Sequence, residues 1–410
     1  SIAGKDGGDC RLPRQAAFTS GNICPPQTLS TGGLRFSSRD YKRRIKNRAS
    51  KTKRKVIPFM TEEFVTEETL ANGRKYIHGT AAHCETGVSS ALFRDKGLDI
   101  SEPMIFGIGS GIFFGHLPFI KWTGLPITTF RSIPGLVFKK AAKRLDVKIF
   151  RKRFRSPQKG MDELRRVIRT GQIVGVTTNV YWLSFFPRRY RFNFNGHNFI
   201  VLYENENGFR ISDPALLEYT TDCSAFEMER ARFAKGPLEP RGLMYYPLFV
   251  PSNPDIRKAC ITGMTDSCNQ MLKIPIPLFG IKGMRYVARK VIQWPGKLGY
   301  IEACRQLAHI LRMQEEMGTG GAGFRYMFAA FLQEAGELFG SKVLRELSDE
   351  MTAIGDIWRE FAVVSSRIIK QRKSKREETF DKAGGLMLIC AGREEELFKN
   401  LRDTVATLKS

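Results

Sequence analysis

The spacing of apolar residues changes near residue 250, and this change most constrains the fold. After a Pro-rich segment at 235–254, apolar residues follow helical spacing as far as the C-terminus. The clearest stretches run from Phe324 to Phe339, from Leu344 to Phe361 and from Leu397 to Leu408. We therefore predict a mainly α-helical domain over residues 251–410.

Upstream of that segment, helical and strand patterns are mixed. Helical spacing marks residues 80–94 and 162–169. Apolar or β-branched runs predict strands in these segments: Met104–Phe114 with a close turn, Ile173–Val180, and a hairpin of Asn198–Tyr203 and Phe209–Ser212. A helix followed by strands is typical of an α+β fold, so we predict an α+β domain over residues 60–250.

The first 59 residues are strongly basic, with 14 Lys and Arg against 3 Asp and Glu, in a chain of net charge +25. A basic surface can bind nucleic acid, an anionic membrane or an acidic protein. Residues 1–59 lack hydrophobic periodicity, so we expect a disordered basic extension; the alternatives are a nucleic-acid-binding arm and an arginine-rich targeting peptide. No aromatic residue interleaves the basic residues between 42 and 55, and we expect no nucleic-acid partner.

The eight cysteines have no short repeated spacing. Cys260 and Cys268 are too far apart for a CxxC zinc knuckle, and no histidine cluster completes a site, so we expect no metal. We predict reduced thiols in a cytoplasmic protein, because the N-terminus also lacks the apolar stretch of a signal peptide. The longest uncharged run, Pro103–Ile120, is broken by glycines, prolines and His116, so we expect no membrane span.

Cys84 stands where a loop becomes a helix, in the segment His78-Gly-Thr-Ala-Ala-His-Cys84. A cysteine nucleophile needs a favoured thiolate, an oriented base and fixed donors for the oxyanion. The positive end of the helix dipole stabilises a negative sulfur, so we predict that Cys84 is a nucleophile rather than a core thiol. His83 could act as a second base or cap the helix, and Glu85 and Glu102 are expected to be structural.

His197 begins the predicted hairpin, and Asp213 follows its second strand. Because a hairpin returns the chain to its start, Asp213 is expected beside His197, where its carboxylate would hold the imidazole in one tautomer. His197 is then the predicted base for Cys84. The alternative for His197 and Asp213 is a role in shaping turns.

Cysteine on a helix, then histidine on a strand, then aspartate on the next strand is the order of papain-like cysteine peptidases. The sequence resembles especially the bacteriocin-processing peptidases, whose histidine segment also runs from Gly-His into an apolar strand and then Asp-Pro. This resemblance implies an oxyanion donor six residues before the cysteine, where that group has glutamine and this chain has His78. An imidazole N–H of His78 would replace the amide.

Further motifs resemble the butirosin biosynthesis protein H family, over about residues 74–365. In the first half they are His83-Cys84, Ile100-Ser-Glu102 and Ile105-Phe-Gly-Ile-Gly-Ser-Gly111. In the second half they resemble the helical domain of the family: Phe279-Gly-Ile-Lys-Gly-Met, Gln293-Trp294-Pro295, Gly318-Thr-Gly-Gly321 and Phe324-Arg325. The resemblance implies a papain-like domain followed by a helical domain.

The resemblance also implies acyl transfer rather than proteolysis, because the family's named member moves an aminoacyl chain from an acyl carrier protein to an aminoglycoside amine. The expected function is transfer of an acyl or aminoacyl group from a carrier-protein thioester to an amine or hydroxyl of a small molecule or lipid. No cofactor would be bound permanently, since the carrier's phosphopantetheine arm brings the acyl group. The alternatives are a cysteine peptidase, a thioesterase and a non-catalytic carrier-binding module, and homo-oligomerisation stays open.

Two sets of residues could contact such a carrier. Acyl carrier proteins are acidic, and the candidate basic contacts are Arg151, Lys152, Arg153, Arg155, Arg188, Arg189 and Arg191. A Gly-rich turn leads into a helix whose N-terminus can bind phosphate, so we predict that the phosphopantetheine phosphate binds Gly318, Thr319, Gly320, Gly321 and Arg325. The alternative is a turn that only lets two helices pack.

Overall fold

The computed structural model describes residues 66–122, 124–371 and 378–408. The basic extension predicted at residues 1–59 lies outside these residues. The described residues group into one compact unit, so the mixed part and the helical part of the chain pack together.

The described strands form one large sheet and two small ones. In chain order the strands are β1 (Glu67–Thr69), β2 (Lys75–Ile77), β3 (Ile112–Trp122), β4 (Leu125–Arg131), β5 (Lys148–Lys152), β6 (Val174–Thr178), β7 (His197–Asn205), β8 (Gly208–Ser212), β9 (Thr221–Cys223) and β10 (Met244–Phe249). The large sheet is antiparallel, in the order β5-β10-β6-β7-β8-β9. The pairs β1–β2 and β3–β4 form the two small sheets.

The centre of the large sheet positions the candidate site. β6 and the first half of β7 are almost entirely buried, as their apolar residues predict for strands covered on both faces. Thr178 at the end of β6 pairs with His197 at the start of β7. β8 runs back along the other edge of β7 and ends at Ser212, so Asp213 follows close to His197. The predicted strand and the predicted hairpin are both confirmed.

The helices of the mixed part are α1 (Cys84–Asp95), α2 (Glu102–Ile108), α3 (Leu136–Arg144), α4 (Pro157–Ile168) and α5 (Ala225–Arg232). After β10 the described elements are helical: α6 (Ile256–Leu272), α7 (Gly280–Leu298), α8 (Tyr300–Glu315), α9 (Arg325–Phe339), α10 (Lys342–Ile369) and α11 (Phe380–Leu408), with a short 3-10 helix at Ala322–Phe324. The helical spacing read from the sequence is therefore confirmed. Within the described ranges, no helix combines the length and the apolar character needed to cross a membrane.

One secondary-structure prediction is wrong. Met104–Phe114, expected as a strand with a turn, lies first in α2 and enters β3 only at Ile112. Ser101 caps α2 by accepting a hydrogen bond from the N–H of Met104 at 3.1 Å, and Pro103 suits the first helical turn. The side chains of α2 after its first residue are all buried, and a buried helix and a buried strand have the same continuous apolar pattern.

The mixed part and the helical part share one hydrophobic core. Phe106 of α2 belongs to the same buried cluster as Phe331 of α9 and Trp358 of α10. α2 and α9 approach so closely that a Cβ added at Gly107 would lie 2.1 Å from the ring of Phe331. Because α2 also packs against α1, the helical part supports the helix that begins at Cys84.

Candidate active site

Cys84 is the first residue of α1, and His83 is its N-cap. Its thiol is free and partly exposed, whereas the free thiol of Cys223 is buried. The N–H groups in the first turn of a helix have no acceptor within the helix. The sulfur of Cys84 therefore lies at the positive end of the helix dipole, where a thiolate is favoured and a backbone donor is available for an oxyanion.

His197 and Asp213 form a hydrogen-bonded pair beside this helix. Nε2 of His197 donates to Oδ2 of Asp213 at 2.6 Å, and Asp213 is fully buried. Oδ1 of Asp213 accepts from the N–H of Ala215 at 3.2 Å, which fixes the carboxylate. Because Nε2 is bound to Asp213, Nδ1 is the nitrogen left to interact with Cys84. The structure thus brings together the predicted nucleophile, base and orienting carboxylate.

The surroundings of His197 favour its charged form. Burial by itself lowers the pKa of this ring, but the charge of Asp213, its hydrogen bond and the interaction with Cys84 outweigh burial and raise the pKa of His197 to about 10. Phe186 packs edge-to-face on the ring, with 5.0 Å between the ring centroids. An imidazolium next to Cys84 stabilises the thiolate form of its sulfur.

Two polar groups near the Cys84 sulfur are not predicted by the sequence analysis. The carbonyl oxygen of Gly196 lies 4.0 Å from Sγ of Cys84, and Nδ2 of Asn198 lies 3.8 Å from it. Gly196 and Asn198 flank His197 in the sequence, and this adjacency is the one signal that could have indicated them.

His78, the predicted oxyanion donor, is buried with both ring nitrogens bonded. Nδ1 lies 2.7 Å from Oγ of Ser212, and Nε2 lies 3.0 Å from the carbonyl oxygen of Leu217. Burial lowers the pKa of His78 and favours the neutral ring, in which Nε2 donates to the carbonyl and Nδ1 accepts from the hydroxyl. This arrangement contradicts the predicted oxyanion role, because no N–H of the ring is left to bind an oxyanion. His78 instead holds the chain on both sides of Asp213 through its bonds to Ser212 and Leu217.

His83 is held in a buried network instead of being placed as a second base. Nη1 of Arg131 donates to Nε2 of His83. Nδ1 of the same ring lies 2.9 Å from Oγ1 of Thr86 and 3.4 Å from the backbone N–H of Thr86, which it caps. Burial, together with the positive charges of Arg131 and His197, holds the pKa of His83 well below its ordinary value. His83 is therefore neutral and held in place by these contacts.

Glu102 anchors the loop that leads to Cys84. Its carboxylate accepts from the N–H of Ala82 at 2.8 Å and from the N–H of His83 at 2.7 Å. The hydroxyl of Thr86 adds a third hydrogen bond at 2.8 Å. Three donors from one short segment hold that segment in place, which agrees with the structural role expected for Glu102.

Glu85 anchors the other side of the same helix start. Its buried carboxylate pairs with Arg131 and accepts from the N–H groups of Gly135 at 2.9 Å and Phe138 at 3.2 Å. Arg131 therefore links Glu85 to His83, immediately on either side of Cys84. Arg131 is not indicated by the sequence, because it lies 46 and 48 residues along the chain from Glu85 and His83 and only the tertiary structure brings it to them.

The Gly-rich turn between α8 and α9 lies against the loop that carries Cys84. A Cβ added at Gly320 would lie 3.2 Å from Cβ of Ala82. One added at Gly318 would lie 3.9 Å from Cδ2 of His83. Gly318, Gly320 and Ala82 are exposed, so they form a surface almost without side chains next to the nucleophile.

Arg325 and Thr319 are not available for a phosphate. Arg325 is fully buried; its Nε and Nη2 bind the two carboxylate oxygens of Glu394 at 2.9 and 2.8 Å, and its Nη1 donates to the carbonyl of Gly323 at 2.8 Å. Thr319 is buried too, and its hydroxyl accepts from the N–H of Gly321 at 3.1 Å. The structure contradicts phosphate binding by these side chains because their polar atoms are already paired. In the described ranges, no cluster of His, Cys, Asp and Glu could hold a metal ion.

The predicted basic contacts lie in two places. One group is exposed on or just after β5, an edge strand of the large sheet: Arg151, Lys152, Arg153 and Arg155. In the loop before β7, Arg188 is exposed, whereas Arg191 folds back and donates to the carbonyls of Ser184 and Phe186. The side chain of Arg189 lies outside the described part of the chain.

A cysteine at a helix N-terminus, with a histidine at the start of one strand and an aspartate just after the neighbouring antiparallel strand, defines a papain-like cysteine-type domain. Residues 83–214 match the family model "Butirosin biosynthesis protein H, N-terminal", and residues 226–401 match "Domain of unknown function (DUF4872)". The chain is therefore similar, in its first domain and in the order of its two domains, to the butirosin biosynthesis protein H family.

The chain is similar to a C39-like peptidase from Bacillus anthracis at 14% sequence identity and a TM-score of 0.31, over 45% of this chain and 98% of that chain. No curated protein matches the sequence.

Proposed function

We propose that this protein transfers an acyl or aminoacyl group from the phosphopantetheine thioester of an acidic acyl carrier protein to an amine or hydroxyl acceptor. The observation that carries the proposal is the buried His197–Asp213 pair beside Cys84, a partly exposed cysteine at a helix N-terminus. Similarity to the butirosin biosynthesis protein H family supports a carrier protein as the donor.

The reaction begins with Cys84 as thiolate and His197 as imidazolium. The thiolate attacks the thioester carbonyl, and the N–H of Cys84 at the positive end of α1 stabilises the oxyanion. Collapse of the tetrahedral intermediate releases the carrier's sulfur, which takes the proton of His197 and leaves an acyl-Cys84 thioester. The acceptor then loses a proton to His197 as it attacks the acyl carbon, and Cys84 leaves as thiolate.

The surface next to Cys84 suits a slender, flexible donor. Gly318 and Gly320 expose backbone beside Ala82, and such a surface lets a phosphopantetheine arm approach the sulfur closely. The exposed cations on β5 and the net charge of +25 favour an acidic carrier. The six described cysteines are all free, which supports a reducing compartment such as the cytoplasm.

Intact-protein mass spectrometry after incubation with an acyl-loaded carrier protein tests the proposal. We expect the wild-type chain to gain the mass of one acyl group and to lose it when an amine acceptor is added, with the amide appearing in solution. Cys84→Ala should gain no mass and turn over more than about 10³-fold more slowly.

Cys304→Ala is the matched control, because Cys304 is also a free and partly exposed thiol. It should behave as wild type. Full turnover by Cys84→Ala would rule out the covalent mechanism. Release of the free acid without any amide would identify a thioesterase, and cleavage of peptides alone would identify a peptidase.

A further inference from the structure

Asn198 presents its side-chain amide to the sulfur of Cys84. The residue is 5% exposed, and Nδ2 lies 3.8 Å from Sγ of Cys84 and 3.0 Å from the carbonyl oxygen of Gly196. Oδ1 accepts from the hydroxyl of Thr177 at 2.9 Å and from that of Tyr245 at 3.0 Å. Each polar atom of the amide therefore has partners.

The partners determine which way the amide points. The carbonyl of Gly196 can only accept, so the NH₂ group must face it, and Oδ1 must face the two hydroxyls. One N–H of Nδ2 is used by Gly196, and the second is directed to the sulfur of Cys84. A flipped amide would set its oxygen against the carbonyl of Gly196 and lose this hydrogen bond.

Tyr245 keeps the arrangement in place over a wide pH range. It is 3% exposed, and burial raises the pKa of its hydroxyl well above the ordinary value, so the hydroxyl stays protonated and can donate to Asn198. Thr177 cannot lose its proton in the same range. The two hydroxyls thus hold the amide without competing for its N–H groups.

We propose that Asn198 is a thiolate-stabilising residue, which donates a hydrogen bond to the charged sulfur of Cys84 opposite the imidazolium of His197. A hydrogen bond to the charged form favours that form, and it strengthens when the acceptor becomes an anion. The inference rests on Cys84 being the nucleophile of the proposed function. Beside the helix dipole and the imidazolium, it adds a source of thiolate stabilisation that does not depend on the protonation of His197.

The pH dependence of the alkylation of Cys84 by iodoacetamide tests this role in the full-length chain. The rate is followed on the Cys84-containing peptide by mass spectrometry, so that other thiols do not contribute. Asn198→Leu, of similar size but without a donor, should move the midpoint of the rate profile upward by about one pH unit, the size expected for one hydrogen bond to a charged group. At a pH below both midpoints, alkylation should be about tenfold slower.

Asn205→Leu is the matched control, because Asn205 lies on the same strand and also makes side-chain hydrogen bonds, to Asp222. Its profile should coincide with that of wild type. If Asn198→Leu does not fold, the same profile is measured for Tyr245→Phe and Thr177→Val, since each variant removes one hydroxyl that orients the amide of Asn198. Each should give a smaller upward shift.

A folded Asn198→Leu variant with the wild-type midpoint would overturn the inference, as would unchanged midpoints in both Tyr245→Phe and Thr177→Val. The readout does not involve a carrier protein. Failure of acyl transfer combined with a shifted midpoint would therefore reject the proposed function and keep the role of Asn198.

Discussion

Nε2 of His197 and Oδ2 of Asp213 lie 2.6 Å apart, and both side chains are buried. The two residues stand at the start of β7 and just after β8, so the backbone hydrogen bonds of one hairpin hold them side by side. The carboxylate selects the tautomer and the orientation of the ring, and it raises the affinity of the ring for a proton. This one contact is therefore expected to matter both for the proposed catalysis and for stability.

Asp213→Asn should lower kcat by on the order of 10²- to 10⁴-fold with little change in KM, because an amide no longer selects the productive tautomer or stabilises the imidazolium. Steady-state kinetics with an acyl-loaded carrier measures both constants. Asp222→Asn is the control, since Asp222 is a partly exposed carboxylate of β9. Equal kcat values for Asp213→Asn and wild type would contradict the assigned role.

Folding stability should fall with rising pH through the titration of His197. The pKa of His197 rises from 6.5 to about 10 on folding, so its stabilisation is fully present below about pH 6.5 and is lost as the pH rises through 10. Urea unfolding at several pH values should show a gap between the chain and its His197→Gln variant that shrinks across this window. Both chains carry Cys84→Ala, so that the thiol does not titrate. Because Cys84 contributes to the raised pKa of His197, the gap should close at a lower pH in this background than in the wild-type chain. A constant gap would contradict the prediction.

Arg131→Met should destabilise the fold by about 3–5 kcal/mol, because it leaves the buried carboxylate of Glu85 without its cation. Urea unfolding measures the loss. Arg165→Met, which removes a more exposed partner of Glu204, should cost only about 1 kcal/mol or less. Equal losses of unfolding free energy in the two variants would show that the Arg131–Glu85 pair stabilises the fold no more than an exposed ion pair does.

Gly107→Ala should destabilise the whole unit, because the new Cβ would lie 2.1 Å from the ring of Phe331 and force α2 away from α9. Overpacking of this kind costs about 1–3 kcal/mol or more. Gly296→Ala, at an exposed position of α7 with no atom within 4 Å of its Cβ, should instead stabilise by up to about 1 kcal/mol. A neutral Gly107→Ala would mean that the two parts of the chain do not depend on this contact.

Gly318→Asn should raise KM for the acyl-loaded carrier severalfold while leaving alkylation of Cys84 by iodoacetamide unchanged. Gly318 has φ +66°, a conformation that Asn tolerates, and the new side chain would begin 3.9 Å from His83. Gly340→Asn is matched in conformation at φ +65° but has no atom within 4 Å of its Cβ. An unchanged KM in Gly318→Asn would show that the donor does not pass this turn.

Patterns in short stretches of the sequence predicted much of the site and of the fold. A loop-to-helix junction identified Cys84, and the geometry of a hairpin put Asp213 beside His197. Both features depend on backbone hydrogen bonds between residues that are near in sequence, so they could be seen without the fold. The apolar run after Met104 was misassigned because a buried helix and a buried strand have the same composition.

The contacts between distant segments could only come from the tertiary structure. Arg325 is the clearest case, because the geometry of a guanidinium suits a phosphate and a carboxylate equally well. In the structure α11 packs against α9, and Arg325 pairs with Glu394. In the same way, nothing in the sequence directs the amide of Asn198 to the sulfur of Cys84. The sequence by itself predicted the helical spacing of the C-terminal part, the central hairpin and the residues proposed as nucleophile, base and carboxylate, but it did not predict α2. Which polar groups surround them was decided by tertiary packing, because a side chain's partner depends on what the fold brings within about 3 Å of it.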